Sequence, residues 1–264
     1  METGTPRLIA RKEAAVGFMI FNHPERHNAL SLDVWGAIPN VLAEYERDPE
    51  VRVVVFAGAG EKAFVSGADI TQFGSARADQ QGDANYAAIS GAATRAMELF
   101  PKPSIAMIRG YCIGGGLAVA LTCDLRIASE DARFGIPAAR LGLGYRFEGV
   151  RKLSSIVGPA HASEILFTGR QLDASEALRI GLVNRVVAVP ELEASVRATA
   201  GQIADNAPLT VRASKQAIKE AQKDPDRRKL DELNVAIAAC FDSEDYVEGR
   251  RAFAEKRKPV FRGQ

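Results

Sequence analysis

The sequence predicts an α/β fold with parallel strand pairing, and three observations carry that prediction. Short strand-like runs alternate with stretches of helical period through the first half of the chain. Residues 51–57 form a β-branched run rich in valine, interrupted by Arg52 alone, as expected of a strand buried on both faces of a parallel sheet. From about residue 147 the pattern becomes mainly helical, so the chain ends in helices that need a partner surface.

Taken in order, residues 8–10 and 16–21 read as two short strands around the charged turn Arg11-Lys12-Glu13. Ser31 offers an N-cap, and Leu32, Trp35, Ile38, Leu42 and Tyr45 recur at helical spacing before Pro49. Pro39 falls inside that pattern and is expected to kink the helix or weaken its middle. The 51–57 strand is followed by a Gly-rich loop and a short strand at 63–65. Polar residues 74–85 read as a mobile loop, and 87–100 as a helix stopped before Pro101 and Pro103. Residues 104–108 return as a strand, the 110–116 loop opens another helix, and 125–128 is a further strand. Asp173-Ala-Ser-Glu176 is a capping box for a helix ending at Gly181, and 183–189 is the last strand. Helices are then expected at about 191–205, 209–222, 226–240 and 243–256.

Bulk properties narrow the function classes. The chain has 264 residues, 47% hydrophobic and 25% charged, the balance of a globular enzyme with a sizeable core. Its 34 basic and 33 acidic residues nearly cancel, so the whole-protein field argues for neither nucleic acid nor an anionic membrane. Cys112, Cys123 and Cys240 are too few and too irregular for a disulfide framework or a zinc site, and His23, His27 and His161 have no metal-ligand spacing. No metal is expected. The stretch 1–11 has no apolar signal core and no segment approaches the length of a membrane span, so a cytoplasmic location is expected.

Two stretches carry the chemistry. Ala63-Phe64-Val65-Ser66-Gly67-Ala68-Asp69-Ile70 and Arg109-Gly110-Tyr111-Cys112-Ile113-Gly114-Gly115-Gly116 each place small residues just after a strand. Backbone N–H groups project there unshielded, and a helix opening at glycines turns free donors and a positive dipole end toward whatever lies in front. Either turn alone is commonly structural. Two of them face to face make an oxyanion hole for a carbonyl that gains negative charge.

These motifs, with Asn22-His-Pro-Glu-Arg-His-Asn-Ala-Leu30, Thr122-Cys-Asp-Leu125, Phe134-Gly-Ile-Pro137, Phe167-Thr-Gly169 and Glu255-Lys-Arg-Lys-Pro259, resemble the crotonase, or enoyl-CoA hydratase/isomerase, superfamily along nearly the whole chain. The resemblance implies a crotonase-like spiral of ββα units over residues 1–200 and a helical C-terminal trimerisation region over 201–264, assembled as a homotrimer or a dimer of trimers. It implies an acyl-CoA substrate, with coenzyme A entering as part of that substrate and no separate cofactor. The N–H groups of Ala68 and Gly115 would form the oxyanion hole. Coenzyme A contacts would come from Arg26, Asn28, Ala29 and Leu30, from Ala68, Asp69 and Ile70, and from Phe253 and Lys256. Asp69 and Asp124 also belong to structural motifs of the family. The run Arg250, Arg251, Lys256, Arg257 and Lys258 equally describes a solvated helical face.

The chain departs from the family at two places. Hydratases of the family use two glutamates to position water and move protons, and this chain has Ala118 and Ala138 there. Tyr145 and Glu148, in Gly142-Leu-Gly-Tyr-Arg-Phe-Glu-Gly149, are the nearby replacements, with Glu148 also suited to a helix start. The stretches around Tyr145 and 241–259 resemble the methylmalonyl-CoA decarboxylase branch, in which loss of carbon dioxide itself yields the enolate. That branch can carry a histidine at the position of Ala68 and a glutamate at that of Ala118, so the match is incomplete. Three readings stand: an atypical hydratase/isomerase using Tyr145 or Glu148, a decarboxylase of a malonyl-type CoA thioester, and an inactive acyl-CoA-binding paralogue.

Overall fold

The structure, a computed structural model, describes residues 1–69 and 80–264, and of residues 80, 81 and 83 the backbone alone. Strand β1 (Leu8–Glu13) and β2 (Val16–Phe21) form an antiparallel hairpin that leads into α1 (Leu32–Arg47). The next three units repeat one plan, a strand of a large sheet, a strand of a small sheet, then a helix. They are β3 (Val53–Gly58), β4 (Ala63–Val65) and α2 (Gln80–Leu99); β5 (Ser104–Ile108), β6 (Tyr111–Ile113) and α3 (Gly115–Thr122); and β7 (Leu125–Ser129), β8 (Arg133–Gly135) and α4 (Phe147–Thr168). After β9 (Leu172–Asp173), α5 (Ala174–Arg179) and β10 (Arg185–Val187), the chain ends in α6 (Leu192–Ala204), α7 (Pro208–Ala221), α8 (Leu230–Phe241) and α9 (Glu244–Ala254).

The large sheet has the order β1-β2-β3-β5-β7-β10 and is parallel beyond the first hairpin. The small sheet has the order β4-β6-β8-β9, its first three strands parallel and β9 antiparallel. This is the ββα spiral expected from the resemblance, with helices at the C-terminal end.

Strand β3 shows why a sequence without alternation is required at the centre. Val54 and Phe56 pack into the main core toward α1 and the small sheet, whereas Val53 and Val55 join Leu192, Val196 and Ala200 of α6 on the other face. Successive side chains point to opposite faces, so a strand covered on both sides is apolar at every position.

Several expectations need correction. Residues 80–85 belong to α2 and are not loop, while 74–79 lie outside the described residues. Helix α1 continues through Pro39, held on both sides by the buried Val34, Trp35, Ile38, Val41, Leu42 and Tyr45, so packing offsets the lost hydrogen bond. The break falls instead in α4, at Gly158 with φ +77°, just before Pro159. The capping box at Asp173 is half made. Its carboxylate accepts the Glu176 N–H at 2.8 Å, but the Glu176 carboxylate turns to Arg170.

Candidate active site

Because β4, β6 and β8 run parallel and side by side, the turns that follow them come together at one edge of the small sheet. Those turns carry Gly67 and Ala68, Gly114 and Gly115, and Pro137 and Ala138. The Gly114 N–H donates to the Gly135 carbonyl at 2.8 Å and ties the second turn to the end of β8.

The first turn is pinned to the residues after β2. Leu30 and Ala68 form a parallel bridge in which the Leu30 N–H donates to Gly67 O at 2.8 Å and the Asp69 N–H to Leu30 O at 3.0 Å. In such a bridge the central residue's own N–H points to the opposite side. The Ala68 N–H therefore faces away from Leu30, and Gly115 stands on that side. A methyl built on Gly115 would lie 3.5 Å from Ala68 N and 3.6 Å from the Gly67 carbonyl carbon. Helix α3 makes its first internal bond from Ala118 N–H to Gly114 O at 3.0 Å. The N–H of Gly115 thus has no intrahelical acceptor and sits at the positive end of α3. Two backbone donors on facing turns can hold an oxygen that acquires charge.

The close approach depends on small residues. A Cβ on Gly116 would come 2.0 Å from the Val65 carbonyl oxygen, so no other residue fits against β4. Gly67 holds φ +122° and Gly114 φ +54°, backbone conformations that side chains disfavour.

Asn28 fixes the platform beneath these turns. It is buried, at 1% exposure, with φ +56°. Its amide nitrogen donates to Ala59 O (2.9 Å) and Ala63 O (2.8 Å), and its oxygen accepts the His23 N–H (2.9 Å). All its polar capacity goes to backbone, so its side chain supports the loop and is not offered to a ligand. Leu30 is likewise in the core. Arg26 is exposed and Ala29 half-buried on the same loop, and the His27 O accepts the Ser66 N–H at 3.0 Å. Asp69 is buried, and Ile70 lies outside the described residues.

Ala118 stands in the first turn of α3 and Ala138 just past β8, both half-buried, so no side chain carries a proton at either place. Tyr145 is half-buried against the main core and its ring covers Gly149. Burial pushes its hydroxyl up to about 12, so it remains a neutral donor throughout the physiological range. Glu148 is exposed in the first turn of α4.

At the far end of the chain, Phe253 is exposed on α9 and lies with Ile237, Phe241 and Phe261 along a cavity of 680 Å³ between α7, α8 and α9. The basic run divides clearly. Arg251 and Arg257 bind Glu248 at 2.6 Å each, Lys258 binds Asp205 at 2.6 Å, and Arg250 lies 5.7 Å from the Tyr246 ring centre. Lys256, exposed just beyond α9 at φ +54°, has no such partner among the described residues.

Sequence reasoning missed β6, β8 and β9, which are two or three residues long and too short to show alternation. It also missed the bridge of Leu30 to Ala68, which joins residues 38 positions apart in sequence and leaves no local signal.

Residues 11–264 match the model of the enoyl-CoA hydratase/isomerase family. The chain is 39% identical over 251 residues to a short-chain-enoyl-CoA hydratase of Clostridium acetobutylicum, covering 95% of each chain. It is 38% identical to a crotonyl-CoA hydratase of Syntrophomonas wolfei, covering 96% of this chain and 97% of that one. Its structure superimposes on that of an enoyl-CoA hydratase/carnithine racemase from Magnetospirillum magneticum with a TM-score of 0.92 at 35% identity, over 98% and 97% of the two chains.

Proposed function

This chain belongs to the enoyl-CoA hydratase/isomerase family, and from that premise we propose that it binds an acyl-CoA thioester and stabilises the enolate formed from it. The observation that carries this reading is the pair of facing turns, in which the N–H groups of Ala68 and Gly115 are available to the thioester oxygen. As charge moves onto that oxygen, fixed donors at the start of α3 stabilise it without reorganisation.

Proton movement must come from elsewhere, because Ala118 and Ala138 offer none. Tyr145 serves as a neutral hydrogen-bond donor toward the acyl group, and Glu148, in the first turn of α4, is the candidate base. Losing a positioned proton carrier typically costs about 10²–10⁴-fold, which leaves appreciable catalysis from polarisation alone. Lys256, exposed and with no carboxylate partner among the described residues, is suited, together with Arg26 and Phe253, to the phosphates and adenine of coenzyme A. The exposed apolar residues of the 201–264 helices, Val235, Phe241 and Val247 among them, suit a homotrimer or a dimer of trimers.

A second reading is favoured by the same two alanines and the neutral Tyr145. A malonyl-type carboxylate would meet no like charge at positions 118 and 138, and decarboxylation needs no base.

The test is a mass-spectrometric assay against short and medium enoyl-CoAs, their 3-enoyl isomers, and malonyl-, methylmalonyl- and ethylmalonyl-CoA. Hydration or double-bond migration is the expected result, lowered by Glu148→Gln and Tyr145→Phe. Loss of carbon dioxide with enoyl-CoAs untouched would establish the decarboxylase reading. Binding of CoA thioesters without any turnover would refute both.

A further inference from the structure

Gly149 is a glycine that its own backbone does not require. It stands in the first turn of α4 without the positive φ that disfavours a side chain, and alanine is the better helix former at such a position. What excludes a Cβ there is one neighbour. An added carbon would lie 2.6 Å from Cε1, 3.3 Å from Cζ and 3.4 Å from Cδ1 of the Tyr145 ring. Gly144, on the other side of Tyr145, also lacks a positive φ, but an added carbon there meets nothing within 4 Å. The bare backbone of Gly149 is therefore the seat of one ring. Of the large apolar side chains from Leu141 to Phe147, that of Tyr145 alone packs against the main core, while Leu141, Leu143 and Phe147 are exposed.

A second tyrosine shows such a seat in a purely structural setting. Tyr45 rests on Gly17, where an added carbon would come 2.9 Å from its ring, and its hydroxyl reaches Arg11 O at 3.1 Å and Phe18 O at 2.7 Å. Both ends of that side chain are committed to the fold. The Tyr145 hydroxyl has no hydrogen-bond partner among the described residues. Buried tyrosines usually pair their O–H within the protein, so this donor is left to solvent or to a ligand.

We propose that Gly149 is a positioning residue, seating the Tyr145 ring and so fixing where its hydroxyl meets the acyl group. The inference rests on the proposed function for the use of that hydroxyl, and on the contact geometry alone for the seat. Relieving the 2.6 Å contact to 3.4 Å moves the ring by roughly 0.8 Å, and a misplacement of about 1 Å can cost 10²-fold in rate. The ceiling is the loss that follows from removing the hydroxyl altogether.

The experiment labels the full-length protein with 3-fluorotyrosine and assigns the Tyr145 resonance in the fluorine NMR spectrum by its loss in Tyr145→Phe. Gly149→Ala should shift that resonance and Gly144→Ala should leave it in place, and acetyl-CoA should shift it in the parent protein. In turnover of the best thioester, Gly149→Ala should lower kcat about as much as Tyr145→Phe does, with KM changed by less than about threefold. Gly144→Ala should leave both unchanged. The double variant Gly149→Ala/Tyr145→Phe should be no slower than the slower single variant, since a hydroxyl already absent cannot be misplaced. Losses that multiply in the double variant would overturn the proposal, because Gly149 would then act independently of the hydroxyl. So would turnover untouched by both single variants, a Tyr145 resonance unmoved by Gly149→Ala, or one indifferent to acetyl-CoA in a protein that binds it. The spectra need no turnover, so the failure of this seat and the failure of the enolate reading are seen separately.

Discussion

Substituting alanine at Gly115 and at Gly116 separates the fold of this site from its chemistry. At Gly115 the added carbon lies 3.5 Å from Ala68 N, 3.6 Å from Gly67 C and 3.8 Å from Gly67 Cα, all ordinary contact distances. Gly115 also lacks a positive φ, and alanine is the better helix former, so Gly115→Ala should change stability by no more than about 1 kcal/mol. The new methyl stands about 2.5 Å from its own nitrogen by covalent geometry. It therefore crowds the space between the two donors. Displacing an oxygen from one such donor costs about 10²–10³-fold in kcat. At Gly116 the added carbon meets Val65 O at 2.0 Å, and a relaxed contact near 3.3 Å requires α3 to shift by roughly 1.3 Å. Overpacking of that kind costs about 1–3 kcal/mol, offset by less than about 1 kcal/mol of helix propensity. Urea unfolding and turnover of the best thioester measure both effects. A Gly115→Ala protein that is stably folded and turns over within tenfold of the parent would refute the assignment of the oxygen site.

Other outcomes follow from the same geometry. Asn28→Ala should cost about 3 kcal/mol in urea unfolding, since it abandons three backbone groups, one buried and two half-buried, and leaves φ +56° without a compensating amide. Tyr145 has its ordinary value of 10 raised to about 12, so its neutral form is favoured by folding. Its contribution to stability is intact below pH 10 and lost as pH rises through 12, and Tyr145→Phe should flatten that alkaline slope in thermal unfolding. Lys219 has the opposite sign, with a folded value near 8 below the ordinary 10.5. The unfolded chain binds its proton more readily, so stability rises with pH between 8 and 10.5. Lys219→Met should raise the melting temperature at pH 7 and remove that rise.

What was legible in the sequence divides along physical lines. The valine run of β3, the helical spacing of α1 and the four C-terminal helices were readable because burial over whole elements writes a long periodic pattern. The two glycine turns were readable because only small residues satisfy their geometry, as the 2.0 Å contact at Gly116 shows. Apart from β4, the small sheet was not readable. Its strands are held by neighbours distant in sequence, and three residues cannot display a period of two. The start of α2 was misread because Gly82, Asp83 and Asn85 are poor helix formers, overridden by the packing of α2 on α1. Lys219 of α7 has Glu98 of α2, Lys152 of α4 and Asp124, just before β7, as charged neighbours. Nothing in a linear reading brings these together.

The two halves of the proposed chemistry are stored in different parts of the molecule, and that explains how one can persist without the other. Polarisation of the thioester depends on main-chain donors, whose positions follow from the parallel pairing of β4 with β6 and from the Leu30–Ala68 bridge. A side-chain substitution at 118 or 138 removes no donor and breaks no strand pairing. Proton transfer depends on side chains projecting from the turns, and these can change one at a time without disturbing the sheets. On the proposed reading, a chain with alanine at both positions keeps the main-chain donors of the two turns while leaving open which reaction uses them. On the same proposed reading the deciding groups are Tyr145, a neutral donor, and Glu148, exposed on α4. If Glu148→Gln abolishes turnover and Tyr145→Phe weakens it only modestly, proton abstraction has moved to α4. If the reverse holds, the site has become one in which the substrate supplies its own carbanion, as a malonyl-type thioester does on losing carbon dioxide.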